Sequence, residues 1–394
     1  MLGGLYKKST YLEECRKKYG QVIIVDSGDL LNEDLKIKKS TRFSTRLKAN
    51  LIAEAYQYIG IDAINVGELD LALGLDYIRE LEKKYNLPFI SANLVDETNT
   101  PVFKPYVIKE IKGKKVGIIG LMGSSSDMAS KLKEATGGRI SVMDVLQSAK
   151  NTVKELEGKV DLIIALTHNQ MNRNWIIARK VKGIDIVVGG HHIQKLKSPY
   201  KAGDTYIVQA GEKGQYQGMI EITLTSDGTQ TVKNTLVPLG EKISDDKQVK
   251  AMIDRYNEQI NSHFSSAQKI EDKAPLAQTC GECHPEALNT WQASDHAKAF
   301  DTLVKKEKQF HSECLKCHTT RFEETGGFTM APMEMSLVNV QCDSCHGNNA
   351  SHLEDPDSLP KQKPDKKLCI KCHTPDRCPD FEKDYEKEWH KIKH

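Results

Sequence analysis

Between residues 20 and 240, short apolar, β-branched runs alternate with longer stretches whose apolar residues recur three and four apart. QVIIVD (21–26), IDAINV (61–66), PFISAN (88–93), KVGIIGL (115–121), DLIIAL (161–166) and IDIVVGG (184–190) read as buried strands. RLKANLIAEAYQYIG (46–60) and MDVLQSAKNTVKELEG (143–158) have helical spacing. Such alternation predicts an α/β domain with helices outside a sheet. Residues 206–239 then read as antiparallel strands with an SDGT turn, closing a second sheet. Residues 241–270 are polar with helical spacing and read as a connecting helix.

After Pro275 the pattern changes: β-branched runs become rare, Lys is frequent, and a Cys-x-x-Cys-His recurs about every thirty residues. The expected organisation is therefore an α/β domain over 1–240, a connecting helix or linker over 241–274, and a third segment over 275–394, mostly helix and loop.

The repeated motif supplies the chemistry. Cys-x-x-Cys alone serves zinc knuckles, redox sites and haem attachment sites alike. Here a His follows every pair: Cys280/Cys283/His284, Cys314/Cys317/His318, Cys342/Cys345/His346 and Cys369/Cys372/His373. With 13 His in 394 residues, four such adjacencies by chance have odds on the order of one in a million. In a c-type site the two thiols add to the porphyrin vinyls and the adjacent imidazole binds iron from one face. Four covalent haem c groups are expected, and in a segment so poor in aliphatic residues the porphyrins must form the core. Haems packed this closely would pass electrons among themselves, making the segment a short wire.

Composition narrows the rest. A net charge of +2, from 56 basic and 54 acidic residues, gives no footprint for nucleic acid or an anionic membrane. No transmembrane run is present. Of the ten cysteines only Cys15 and Cys378 lie outside the haem motifs, and both are read as unpaired. Covalent haem attachment takes place outside the cytoplasm, so a periplasmic or extracellular protein is expected; residues 1–20 show no signal-peptide h-region, which suggests a missing N-terminal segment.

The blocks LGGLYKKSTYLEECRKKYGQVIIVDSGDLLN, IGIDAINVGELDLALGLDYI with PFISANLVD, VDLIIALTHNQ and GIDIVVGGHH resemble, in order, the calcineurin-like metallophosphoesterase domain of the 5'-nucleotidase family. The resemblance implies a four-layer αββα domain and a two-metal site that activates water. It places Asp29 at the bridging carboxylate and His168 and His191 at further ligand positions. Three departures stand against activity. The family's opening Asp-x-His is absent before Gly3. In Gly67-Glu68-Leu69-Asp70, Glu68 and Leu69 replace a ligating Asn and the catalytic His. Ile193 replaces the last ligand of the closing motif. Asp29, His168 and His191 are expected as remnants hydrogen-bonded in a cleft, with at most a single divalent metal.

WQASDHAKAF, ECLKCHTTRFEETGGF, NVQCDSCHGNNASH and a terminal IKH resemble the tetrahaem cytochrome family that accepts electrons from hydroxylamine oxidation. The resemblance implies second axial imidazoles: His296 opposite His373, His394 (or else His390) opposite His346, and His352 opposite His284. The second haem, at His318, is left with an open iron, with His390, or with a histidine of a neighbouring copy. His311 is too close to Cys314 to reach round its own haem, and His263 is read as a solvated surface residue.

Three functions are expected in descending order: an exported tetrahaem electron carrier with the phosphoesterase-like domain as docking module; a metal-dependent phosphoester hydrolase with an accessory haem domain; and a haem redox enzyme using the open second haem. Redox partner proteins are the expected partners, with neighbouring copies of the chain a further possibility.

Overall fold

The computed structural model describes residues 3–224, 230–266, 276–330, 333–348, 350–358 and 362–394. The SDGT turn at 226–229, the end of the connecting segment (267–274) and the Pro275 boundary lie outside the described residues. The chain separates into two compact units: one runs to Ile37 and takes in Thr45–Ile253, and the other comprises Lys38–Ser44 with Asp254–His394. Lys38–Ser44, assigned by pattern to the first domain, differs because its partners lie in the second unit. Ser40 donates to Glu323 (2.7 Å), and Phe43 stacks on His263 with ring centres 3.6 Å apart.

The first unit begins with helix α1 (Leu5–Tyr19), which the apolar pattern did not single out because its buried face is only Ser9, Leu12 and Cys15. Three strands, β1 (Val25–Asp26), β2 (Ala63–Asn65) and β3 (Phe89–Ile90), form a parallel sheet in that order. Strand β4 (Leu94–Asp96) follows. Strands β5 (Tyr106–Ile111), β6 (Lys114–Met122), β8 (Leu162–His168), β9 (Ile186–Gly190), β10 (Tyr200–Ala202) and β11 (Thr205–Val208) form a second sheet in the order β10-β11-β9-β8-β6-β5. Its four inner strands are parallel and its two edges antiparallel. Strand β7 (Ile140–Val142) pairs with β4, and β12 (Tyr216–Leu224) with β13 (Gln230–Pro238) as an antiparallel ribbon.

Every residue of β8 is buried, as expected of a parallel strand covered on both faces. One apolar cluster lies between the sheets, joining Ala63 and Ile90 to Val116, Ile118, Ile164, Leu166 and Ile186. A second lies beneath α2 (Arg42–Ile59) and α3 (Leu75–Tyr85), through Ala53, Tyr56, Ile78 and Leu81. A third lies beneath α5 (Val145–Leu156) and α6 (Met171–Lys180), through Ala149, Leu156, Ile177 and Ala178, whereas α4 (Ser126–Thr136) packs on β7. The layers therefore run helix, sheet, sheet, helix.

Helix α7 (Lys247–Ser266) is followed by the helical second unit, built of α8 (Leu276–Gly281), α9 (Pro285–Ala293), α10 (Ala299–Val304), α11 (Ser312–His318), α12 (Cys342–His346), α13 (Ala350–Glu354), α14 (Lys366–Cys369) and α15 (Phe381–His390). Among its described residues the only sheet-like pairings are two isolated bridges, Thr319–Val338 and Met330–Met333. Its buried apolar side chains are few, chiefly Phe300, Leu303, Phe310, Leu315 and Phe328, a small interior for a segment of this length.

Candidate functional site

In the first unit, chemistry collects at the carboxyl ends of parallel strands, where open α/β sheets hold their ligands. His168 is the last residue of β8 and His191 follows β9; Asp29 and Glu68 each stand three residues beyond the ends of β1 and β2. The two loops are locked together by Asp70. Its carboxylate, 1 % exposed, accepts the backbone N–H groups of Asp29 (2.8 Å), Leu30 (2.7 Å), Leu31 (2.9 Å) and Gly67 (2.9 Å). Burial and the nearby Asp29 raise Asp70, to about 7, while these N–H donors favour its anion. Asp29 is held with a left-handed backbone (φ 57°) and His191 likewise (φ 64°). A residue other than Gly at 67 would put its Cβ 2.2 Å from Asp29 Oδ1.

Asp29 Oδ1 accepts the Leu69 N–H (2.9 Å), so Oδ2 is left to face His168 Nε2 at 3.0 Å. The same nitrogen lies 3.1 Å from Glu68 Oε2 and 3.1 Å from His191 Nδ1. His191 Nδ1 is in turn 3.5 Å from Glu68 Oε1. His168 is fully buried with Nδ1 3.0 Å from the Ser27 carbonyl, which places the proton on Nδ1 and points Nε2 at the cluster. Burial works against the charged imidazolium, but Asp29 and Glu68 outweigh it and push His168 up to about 10. Burial likewise works against the Glu68 carboxylate, and His168 overrides it, bringing Glu68 down to about 2. Burial and the charge on His168 lower His191.

The structure therefore brings Asp29, His168 and His191 together and adds Glu68. The ligand atoms of the four lie within 4.8 Å of one another. Two carboxylates and two imidazoles suit a first-row divalent ion. Glu68 Oε2 is fully buried with His168 Nε2 3.1 Å away, an acceptor such an ion would satisfy, and the Nδ1 contact to Ser27 is the support a metal-bound imidazole needs. Sequence reasoning treated Glu68 as a lost Asn; the signal it passed over is that Glu is itself a ligand type. Leu69 sends only its backbone N–H to Asp29, and Ile193 is 64 % exposed, so neither side chain adds a donor.

In the second unit the Cys-x-x-Cys-His segments fall on single helical turns. α11 and α12 each end on the motif histidine, and His284 and His373 donate their backbone N–H to the carbonyls of Cys280 and Cys369, 3.0 Å in each case. A turn of this kind places residues three apart on one face, so both thiols face the same way. Three histidine pairs meet at nearly the same separation. Ring centres are 6.1 Å apart for His284 and His352, 6.0 Å for His296 and His373, and 5.8 Å for His346 and His394. His318 Nδ1 lies 2.7 Å from the Ala299 carbonyl and His352 Nδ1 2.7 Å from that of Ser358, contacts that engage Nδ1 and turn Nε2 the other way. Among the described residues the ring contacts set no histidine opposite His318. His311 packs edge-on against Tyr256, ring centres 5.6 Å apart, and exposed His263 stacks on Phe43.

Thiols of different motifs also meet. Cys280 lies beside Cys342 and Cys317 beside Cys372, while Cys345 is near both Cys369 and Cys372. Cys15 is buried and Cys378 half-buried, both as free thiols.

Two lines of similarity match this division. The family described as cytochrome c554 and c-prime matches residues 279–347. The trifunctional nucleotide phosphoesterase protein YfkN of Bacillus subtilis is 27 % identical over 297 residues, 64 % of this chain and 20 % of its own length. The snake venom 5'-nucleotidase of Crotalus adamanteus is 27 % identical over 290 residues, 67 % of this chain and 47 % of its own. The chain thus spans a fifth of the first relative and about half of the second. Among solved structures, the sulfate thiohydrolase SoxB of Thermus thermophilus aligns with a TM-score of 0.58 at 19 % identity, covering 66 % of this chain and 48 % of that one. The first unit has the calcineurin-like phosphoesterase fold and is similar in sequence to 5'-nucleotidases. The segment after it carries a cytochrome-type match of shorter extent.

Proposed function

We propose that this chain is an exported electron carrier whose second unit binds four haem c groups, joined to a phosphoesterase-fold unit that holds one divalent ion. The observation that carries the reading is the common spacing of the three histidine pairs. Two imidazoles each about 2 Å from a metal between them have ring centres about 6 Å apart, the separation that all three pairs share. The twelve motif residues would hold the haems, from Cys280, Cys283 and His284 through Cys369, Cys372 and His373, with His352, His394 and His296 as second axial ligands. When bound, the haems supply one-electron chemistry; the protein supplies attachment, axial imidazoles and close packing. The thiol contacts favour a spatial order of first, third, fourth and second haem, which differs from their order in sequence. Export is part of this reading, supported by the site of covalent haem attachment and by relatives that are venom proteins; among the described residues, no helix is long and apolar enough to cross a membrane.

The curated relatives favour a second reading, metal-dependent phosphoester hydrolysis, and the four-residue cluster supports it from within the structure. Mass spectrometry of the denatured holo-protein tests the first reading: four added haem masses support it, and zinc in their place overturns it. Turnover of a nucleoside monophosphate with manganese, abolished by Asp29→Ala, supports the second; no turnover above an Asp29→Ala blank removes it.

A further inference from the structure

Lys131 enters the metal cluster from outside the motifs. It stands on α4, whose N-terminus is capped by the Ser125 side chain accepting the Met128 N–H (3.3 Å). Its ammonium lies 3.7 Å from Glu68 Oε1 and 3.2 Å from Asp127. Glu68 is thus shared: Oε2 faces His168 and Oε1 faces His191 and Lys131. The Glu68 side chain is 3 % exposed and that of Lys131 34 %, so of these two partners it is the lysine that solvent reaches.

A charge count sets the consequence. Asp29 and Glu68 carry two negative charges, which one divalent ion on neutral imidazoles cancels. The Lys131 charge is then left over on the side facing the cluster, offset only from solvent by the exposed Asp127, whose effect is screened there. We infer that Lys131 and the bound ion together form a site for a tetrahedral oxyanion such as the terminal group of a phosphomonoester, the lysine supplying a second fixed positive charge next to a single metal. The inference rests on the metal-binding reading above. It assigns Lys131 two opposed effects: as a cation near Glu68 it repels the incoming ion, and once the ion is in place it attracts the anion. Asp127, with a side chain 71 % exposed, holds the ammonium from the solvent side and is not needed for either effect.

The test uses the full-length holo-protein. Mn²⁺ binding is measured by titration calorimetry, and inorganic phosphate binding is then measured on the Mn²⁺-loaded protein, for wild type, Lys131→Met, Lys131→Arg and Asp127→Asn. Lys131→Met is expected to tighten Mn²⁺ and to weaken phosphate, each by roughly three- to tenfold for a part-exposed charge at this range. Lys131→Arg and Asp127→Asn should stay near wild type in both. A merely structural lysine would move both affinities in the same direction or neither, and either result overturns the inference. If wild type binds no Mn²⁺, the metal reading itself fails; if it binds Mn²⁺ and Lys131→Met leaves phosphate affinity unchanged, only the role of Lys131 fails.

Discussion

His284 and His352 face one another with ring centres 6.1 Å apart and planes 23° from parallel. The pair has the separation expected of two imidazoles on either side of one metal, and a carbonyl hydrogen bond fixes one member, His352 to Ser358. Replacing His352 by Ala should convert the first haem to a five-coordinate, high-spin centre without loss of haem mass. Electron paramagnetic resonance should show the low-spin signal falling by about a third relative to three bis-imidazole haems. An unchanged spectrum would show that His352 is not a ligand.

If four haems are bound as proposed, the one at His318 should differ from the other three. His318 is oriented by Ala299 and has no facing histidine ring among the described residues, so its iron is expected to be open. Carbon monoxide should bind about a quarter of the ferrous haem, and His390→Ala should leave that fraction unchanged. If His390→Ala instead raises the fraction from zero, His390 is the missing ligand.

Glu68→Gln should weaken Mn²⁺ binding by about 10- to 100-fold, because it removes one of two ligand charges while keeping the side chain's size. Circular dichroism should be unchanged, since the loops are held by Asp70 and not by Glu68. Equal affinity in the variant would exclude Glu68 from the coordination sphere.

In the metal-free protein the cluster should make stability depend on pH at both ends. His168 is raised from 6.5 to about 10, so its contribution is complete below 6.5 and lost as pH rises through about 10. Glu68 is lowered from 4.5 to about 2, so its contribution is complete above 4.5 and lost as pH falls through about 2. The network is therefore most stabilising between 4.5 and 6.5. Thermal unfolding of chelator-treated protein should show Tm falling on the alkaline side, with a shallower fall in Glu68→Gln. A wild-type Tm that is flat from neutral pH to about 10 would contradict the assignment.

Gly67→Ala should remove metal binding and cost about 1–3 kcal/mol of stability, because the added methyl would lie 2.2 Å from Asp29 Oδ1 and must displace it. Denaturant unfolding and Mn²⁺ titration of the same sample read both effects. A variant that binds Mn²⁺ normally would show that the loop has slack.

Much of this was open to inspection in the chain itself, for identifiable reasons. The runs at 115–121, 161–166 and 184–190 lie within or overlap β6, β8 and β9 because strands buried on both faces need continuous β-branched residues. QVIIVD shrank to Val25–Asp26: Ile24 is tied to Asp62 instead, through a backbone bond to Asp62 N–H and a contact to its carboxylate. The four Cys-x-x-Cys-His repeats could be picked out because each is local in sequence. The resemblance also named the three histidine pairs that the structure brings within about 6 Å. Glu68 and Lys131 were not legible as site residues, since whether a carboxylate or an ammonium reaches a cluster depends on how loops and helices from distant segments are pinned.

Asp70 shows how this fold can outlast its original chemistry. Its carboxylate binds the main chain of both ligand loops and touches none of the ligand side chains, so the turns keep their course whichever residue stands at 68 or 69. Ligands can then be exchanged one at a time, each variant inheriting a finished mould. In such a mould a ligand position can change its residue, and a neighbour can bring in a charge, without the turns being rebuilt.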